Sequence, residues 1–141
     1  MYFMDVNLWA VLVSGLAAMA VGFLWYSPLL FAKPWVVLMG YDPNDQAKLA
    51  EMRKGAGLSY ALSLVASLLS AFVLGKIIAV ATVDTVLYGM KFGLAAWLGF
   101  VTTVQLTGAR FSRQPTKLYL INTGYQLVCF LVMGAILGRW R

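Results

Sequence analysis

Histidine is absent from this 141-residue chain, cysteine occurs once, at Cys129, and only five residues are acidic. Each scarcity excludes a chemistry. A single cysteine cannot close a disulfide within the chain. A structural zinc site takes four Cys, His or acidic ligands, and one copy lacks the Cys and His to build it. The Ser–His and Cys–His pairs of nucleophilic catalysis lose their base, and a haem iron loses a histidine axial ligand. Charge is scarce as well. Charged residues make up 11% of the chain, against about 25% in a soluble domain, which argues against a soluble fold. The expectation is a protein with no catalytic residues, no cofactor and no bound metal.

What is abundant is apolar: 62% of the residues, with five Trp, seven Tyr and eight Phe, the aromatics that gather where helices leave a bilayer. Four runs carry no charge: Val6 to Ala32, Gly55 to Gly75, Phe92 to Ala109 and Leu118 to Gly138. A span takes about 20 apolar residues. Backbone polar groups must pair internally in lipid, so such runs form helices, and the alternating pattern of a barrel strand is missing. The fold expected is an all-α membrane protein of one domain, with spans at about 6–26, 57–79, 86–107 and 118–138 and a polar hairpin at 27–56. A cleaved leader is disfavoured, because the segment before the first run has Asp5 and no Lys or Arg.

The connections read in turn. Ser27 and Pro28 break the first helix. Leu29 to Met39 reads as an interfacial segment in which Phe31 and Trp35 sit at headgroup depth, Lys33 snorkels and Pro34 opens a short helix. A helix over Pro43 to Lys54 is expected next, with Asp42 as N-cap, Pro43 as first residue and Asp45 in the first turn. After the second run, the segment between Lys76 and Asp84 either continues the helix or lies along the interface. Lys76 is read as snorkelling rather than as an ion pair with Asp84. Arg139, Trp140 and Arg141 cap the chain at an interface.

The net charge is +6. The first and third connections hold seven cations (Lys33, Lys48, Arg53, Lys54, Arg110, Arg113 and Lys117), and the other side holds four (Lys76, Lys91, Arg139 and Arg141). The positive-inside rule places the seven in the cytoplasm of a bacterial inner membrane, with both termini outside. Cations placed beside apolar runs speak for membrane orientation and against nucleic acid.

Small residues recur four apart: Ser14, Ala18 and Gly22; Ser59, Ser63 and Ser67; Gly89 and Gly93; Gly134 and Gly138. Such faces let helices pack closely in lipid. They serve either a single bundle or an oligomer, and their number favours a homo-oligomer. The serine stripe has a second reading, as the wall of a wet path. No carboxylate lies within a run, which weakens proton coupling. The uncharged polar groups are Asn7 in the first run, Thr102, Thr103 and Gln105 in the third, and Asn122, Tyr125 and Gln126 in the fourth. They read as interhelical hydrogen bonding or as coordination of a small-molecule or ion ligand. An 18-residue spacing from Asn7 to Trp25, repeated from Asn122 to Trp140, reads as coincidence.

The segment from Gly22 to Trp35, with Leu24, Trp25, Tyr26, Ser27, Pro28, Leu29, Phe31 and Lys33 in order, resembles the signature of the domain-of-unknown-function 1761 family. Ala32 stands where that family usually has glycine. Leu120 to Leu127, with Met133, Gly134 and Gly138, resembles its final helix, so the likeness covers essentially the whole chain. The resemblance implies a small four-span bacterial membrane protein and supplies no catalytic residue. It directs attention to Trp25, Tyr26, Phe31 and Trp35, an aromatic anchor or the lip of a lipid site with Lys33 facing an anionic headgroup. The function expected is a lipid- or partner-interacting helix bundle. The second reading is a small transporter or channel whose path is lined by the second and fourth spans.

Overall fold

The computed structural model describes residues 6–42 and 44–140. It is all-α, and four of its helices are long and apolar enough to cross a membrane. Asp5, the expected helix start at Pro43 and the terminal Arg141 lie outside the described residues.

Helix α1 spans Leu8–Trp25. Asn7 starts it: the Asn7 Oδ1 accepts from the N–H groups of Trp9 at 2.9 Å and Ala10 at 3.4 Å, pairing two donors that a helix leaves unmet. Pro28 cannot continue the helix, and the chain folds into a tight turn. There the Phe31 N–H reaches back to the Trp25 carbonyl at 3.0 Å. Helix α2, Ala32–Leu38, follows with Pro34 in its first turn, where a missing N–H costs nothing. Helix α3 is Gln46–Met52. Its cap is Asp45, whose carboxylate accepts from the Lys48 N–H at 3.1 Å, and not Asp42, which accepts from the Asn44 N–H in a turn of its own. The shift shortens the expected helix: Asp42, Asn44 and Asp45 are all capping types, and the first two are used in the turn.

Gly55 (φ +77°) breaks into helix α4, Ala56–Val80. The helix passes Lys76, whose ammonium lies 5.4 Å from the Phe72 ring centre, and ends at the left-handed Thr82. The third span is interrupted. Helix α5, Val86–Ala96, passes through one π turn at Trp97–Val101 into helix α6, Thr102–Phe111. Thr102 and Thr103 donate their hydroxyls to carbonyls of that turn, Leu98 at 2.7 Å and Gly99 at 2.9 Å. They bond back to their own helix rather than across to another. Helix α7 is Thr116–Arg139.

Helix α7 is the hub. Helices α1 and α4 pack on it and on each other, while the third span attaches through α7 and touches α4 only slightly. The core is a thin apolar seam, with Ala10, Ala18, Ala71, Leu74, Ile78, Cys129 and Met133 all buried. Elsewhere apolar side chains point outward, among them Val104 at 70% exposure and Phe111 at 87%, an outer surface suited to lipid rather than water.

The two GxxxG faces meet each other. A Cβ added at Gly89 would strike the Gly134 carbonyl oxygen and come 2.8 Å from the Gly138 Cα. One added at Gly93 would strike the Phe130 carbonyl oxygen. Gly89, Gly93, Gly134 and Gly138 therefore join spans three and four of one chain, backbone against backbone. These two GxxxG faces are thus used within one chain, while Gly99 and Gly108 on the third span have nothing within 4 Å of an added Cβ.

Candidate functional site

Three helix ends converge at the hairpin end of the bundle: the C-terminus of α1, the C-terminus of α6 and the N-terminus of α7. Between them lies a pocket of about 480 Å³. Tyr26, the residue that caps the C-terminus of α1, contributes from one side. The third span contributes Gln105, Gly108 and Ala109, and its turn adds Ser112 and Gln114. Helix α7 contributes Tyr119, Asn122, Tyr125 and Gln126. Eight of these ten side chains carry hydrogen-bonding groups and none is charged, so the pocket is suited to holding a polar group by hydrogen bonds within an apolar bundle.

Hydrogen bonds hold its walls. Tyr26 donates its hydroxyl to the Asn122 Oδ1 at 2.7 Å. Trp25 donates its indole N–H to the Ile121 carbonyl at 3.0 Å, lying so close on α7 that a Cβ at Gly124 would come 3.1 Å from the ring. Tyr125 donates to the Ala18 carbonyl at 3.2 Å, above the flat patch left by Gly22. On the far wall Tyr119 donates to the Thr102 carbonyl at 3.0 Å, and the Trp97 indole donates to the Thr123 carbonyl at 2.8 Å. The Gln105 Oε1 is buried and meets no donor among the described residues.

The floor near the connection is set by how α6 ends. The Gln114 N–H reaches back to the Ala109 carbonyl at 2.8 Å and the Arg113 N–H to that of Arg110 at 3.3 Å, with Arg113 left-handed (φ +57°). This closing motif normally carries glycine at the left-handed position. Here it turns Ser112 and Gln114 onto the pocket.

Of the residues singled out in the sequence, Tyr26, Gln105, Asn122, Tyr125 and Gln126 come together in this pocket. Trp25, Phe31 and Trp35 pack beside it, and Ser27 and Pro28 form the turn that joins them. The Trp25 and Phe31 rings lie 4.8 Å apart, Trp35 packs edge-on at 5.9 Å against Tyr26, and the Ser27 hydroxyl caps the Leu24 carbonyl at 2.6 Å. Lys33 is exposed on α2 and does not line the pocket. Asn7 leaves the site altogether: it caps the opposite end of α1, about 27 Å away at 1.5 Å per residue. Ser59 and Ser63 point outward and Ser67 is half-buried. None of the three lines this pocket; span two instead lines a second, mostly apolar cavity of about 300 Å³, where Ser70 and Leu74 lie with Phe100 and Phe130.

Gly108, Ala109, Ser112, Gln114 and Tyr119 are additions. Tyr119 carried a signal, since positions 119, 122 and 126 share one helical face. Trp97 carried none, because its partner carbonyl is on another span.

A family model described as a protein of unknown function, DUF1761, matches residues 9–138. The chain belongs to this family. The matched region holds all four long helices except Leu8 and Arg139, and every residue of the pocket, so the DUF1761 fold and the pocket occupy the same stretch of sequence. No curated protein and no solved structure matches the chain.

Proposed function

We propose that this DUF1761 member is a non-enzymatic membrane protein that binds the polar headgroup of a membrane lipid in the pocket between α1, α6 and α7. One observation carries the reading: an uncharged, hydrogen-bonding pocket opens at the level where aromatic rings gather at a helix end, the depth at which lipid headgroups lie. A headgroup supplies donors and acceptors there, and its tails extend along the apolar outer face.

The test is Gly108→Phe. Gly108 lines the pocket and nothing lies within 4 Å of an added Cβ there, so a ring placed at this wall needs no backbone movement. Native mass spectrometry of the purified protein should show bound lipid for the wild type and its loss in the variant. Equal lipid retention in both would remove the reading.

The excess of cations at the hairpin end supports placing the pocket on the cytoplasmic side, which impermeant labelling of Arg113→Cys in whole cells checks. Self-association belongs to the same reading. With the two GxxxG faces used inside the chain, the outward Ser59 and Ser63 face of α4 is where a second copy would pack, and cross-linking of Ser63→Cys tests it.

A further inference from the structure

The third span follows α7 closely and then leaves it. Along α5 the glycine seam holds the two backbones together, and beyond the π turn α6 draws away. Two spaces open there. The polar pocket is one. The other is the apolar cavity of about 300 Å³, walled by Leu69, Val73 and Ile77 of α4, by Phe100 and Val101 of the π turn and by Phe130 of α7. Such turns recur where helices build functional sites.

The two spaces lie in line. On α7, Tyr119 and Gln126 line the pocket and Phe130 lines the cavity. These three positions fall within about 40° of one another around a helix of 3.6 residues per turn. On the third span Gln105 lines the pocket, and Val101, one turn before it, lines the cavity. About 6 Å therefore separates the two along each helix. The pocket is nearer the hairpin end, and the cavity is deeper in the bundle.

Size decides what fits the cavity. Leu69, Val73 and Ile77 recur along about 12 Å of α4. A space of about 300 Å³ over that length is about 25 Å² in cross-section. A helix about 10 Å across needs about 80 Å², so a helix of a second copy does not enter, whereas a linear hydrocarbon chain does. The lining is apolar apart from Ser70. Leu69, Val73, Ile77 and Phe100 are all exposed, so the cavity opens sideways toward the bilayer.

We propose that this cavity holds one acyl chain of the lipid whose headgroup occupies the polar pocket. The two spaces then form a single amphipathic site, polar at the hairpin end and apolar one turn deeper. The inference rests on the headgroup reading above, and adds that the protein grips a chain as well as a head. In lipid the chain gains no hydrophobic transfer energy, so its contribution is close packing against the slot.

The full chain is reconstituted in vesicles of phosphatidylethanolamine and phosphatidylglycerol in equal parts, each lipid carrying a diazirine midway along one acyl chain. Irradiation and peptide mass spectrometry then locate the adducts. Val73, Phe100 and Val101 should be labelled about fivefold more than Leu98, a ratio worth about 1 kcal/mol. Leu98 is the control because it is exposed in the same π turn but lies outside the cavity. Ser70→Phe and Ala96→Leu add bulk from opposite walls, and each should abolish the excess. Gly108→Phe should lower the same adducts, although Gly108 lines only the pocket.

Labelling of Val73, Phe100 and Val101 no greater than that of Leu98 overturns the chain site, and leaves the headgroup reading to its own retention test. If Gly108→Phe loses retained lipid yet keeps the cavity adducts, the chain belongs to another lipid and the single site is wrong. If that variant changes neither, the headgroup reading fails and the inference falls with it. Disulfide cross-linking of Val73→Cys between two copies would put a partner helix in the slot, which also overturns the proposal. Circular dichroism of each variant confirms that the bundle is folded before labelling is compared.

Discussion

Helix α7 meets its two main neighbours by different chemistry. Against α5 it offers glycine to glycine, and the two backbones touch with no side chain between them. Against α1 it offers large side chains to small ones: Tyr125 over Gly22, Tyr125 and Cys129 toward the Ala18 carbonyl, and Trp25 over Gly124. The four-residue spacing of small residues is the same in both cases. What differs is the partner. Small facing small makes a seam with no slack, whereas small facing large makes a socket whose occupant can tilt. The pocket opens on the socket side, where hydroxyls and amides can adjust around a ligand. The third span is held on α7 by the glycine seam and by the Trp97–Thr123 and Tyr119–Thr102 hydrogen bonds, while α4 touches it only slightly.

That contrast sets an order of effects. The largest belongs to Gly89→Ala. Its methyl would collide with the Gly134 carbonyl, and backbone cannot rotate away, so the two spans must separate. A loss of about 3 kcal/mol, at the upper end of overpacking costs, is expected. Gly22→Ala is the paired comparison. Its methyl would lie 3.1 Å from the Tyr125 hydroxyl, the far end of a side chain that can yield. Its cost should stay within about 1 kcal/mol, because the strain is offset by alanine's better helix propensity. Unfolding in mixed micelles measures both. Equal losses would break the distinction between seam and socket. A Gly89→Ala loss that disappears on dilution would show that the glycines join two chains rather than one.

The smallest effect has the opposite sign. Ser14 is fully buried in the α1 socket, and its Oγ has no partner among the described residues. Ser14→Ala removes a hydroxyl that is desolvated without return, so stability should rise by about 1 kcal/mol or stay level. A clear loss would mean that this hydroxyl is satisfied, and that the socket is more polar than its geometry indicates.

Much of the architecture could be read from the chain. Charge-free runs long enough to span must form helices in lipid, whatever their neighbours, so the four helices follow from local composition. Pro28 and Gly55 mark breaks for reasons internal to the backbone: one lacks a donor, and the other tolerates a left-handed φ. The ends were less legible. Asx residues crowd the start of α3, and only their geometry shows that Asp45 rather than Asp42 makes the cap. Asn7 and Asn122 are the same residue type in similar apolar runs, yet one caps a helix and the other takes the Tyr26 hydroxyl across two. Nothing local separates them.

The amino-acid sequence by itself determined that four helices form, that they suit a membrane, that histidine-based chemistry is absent, and which end of the bundle collects the cations. Tertiary structure alone decided which small face meets which. It also brought Tyr26 to Asn122 across 96 positions, left the Gln105 oxygen unmet among the described residues, and set Ser59 and Ser63 of α4 outward. The division has a physical cause. Helix formation in lipid is paid within each segment by its own backbone hydrogen bonds. Packing between helices has no hydrophobic drive there, and depends on shape and on a few hydrogen bonds whose partners lie far apart in the chain.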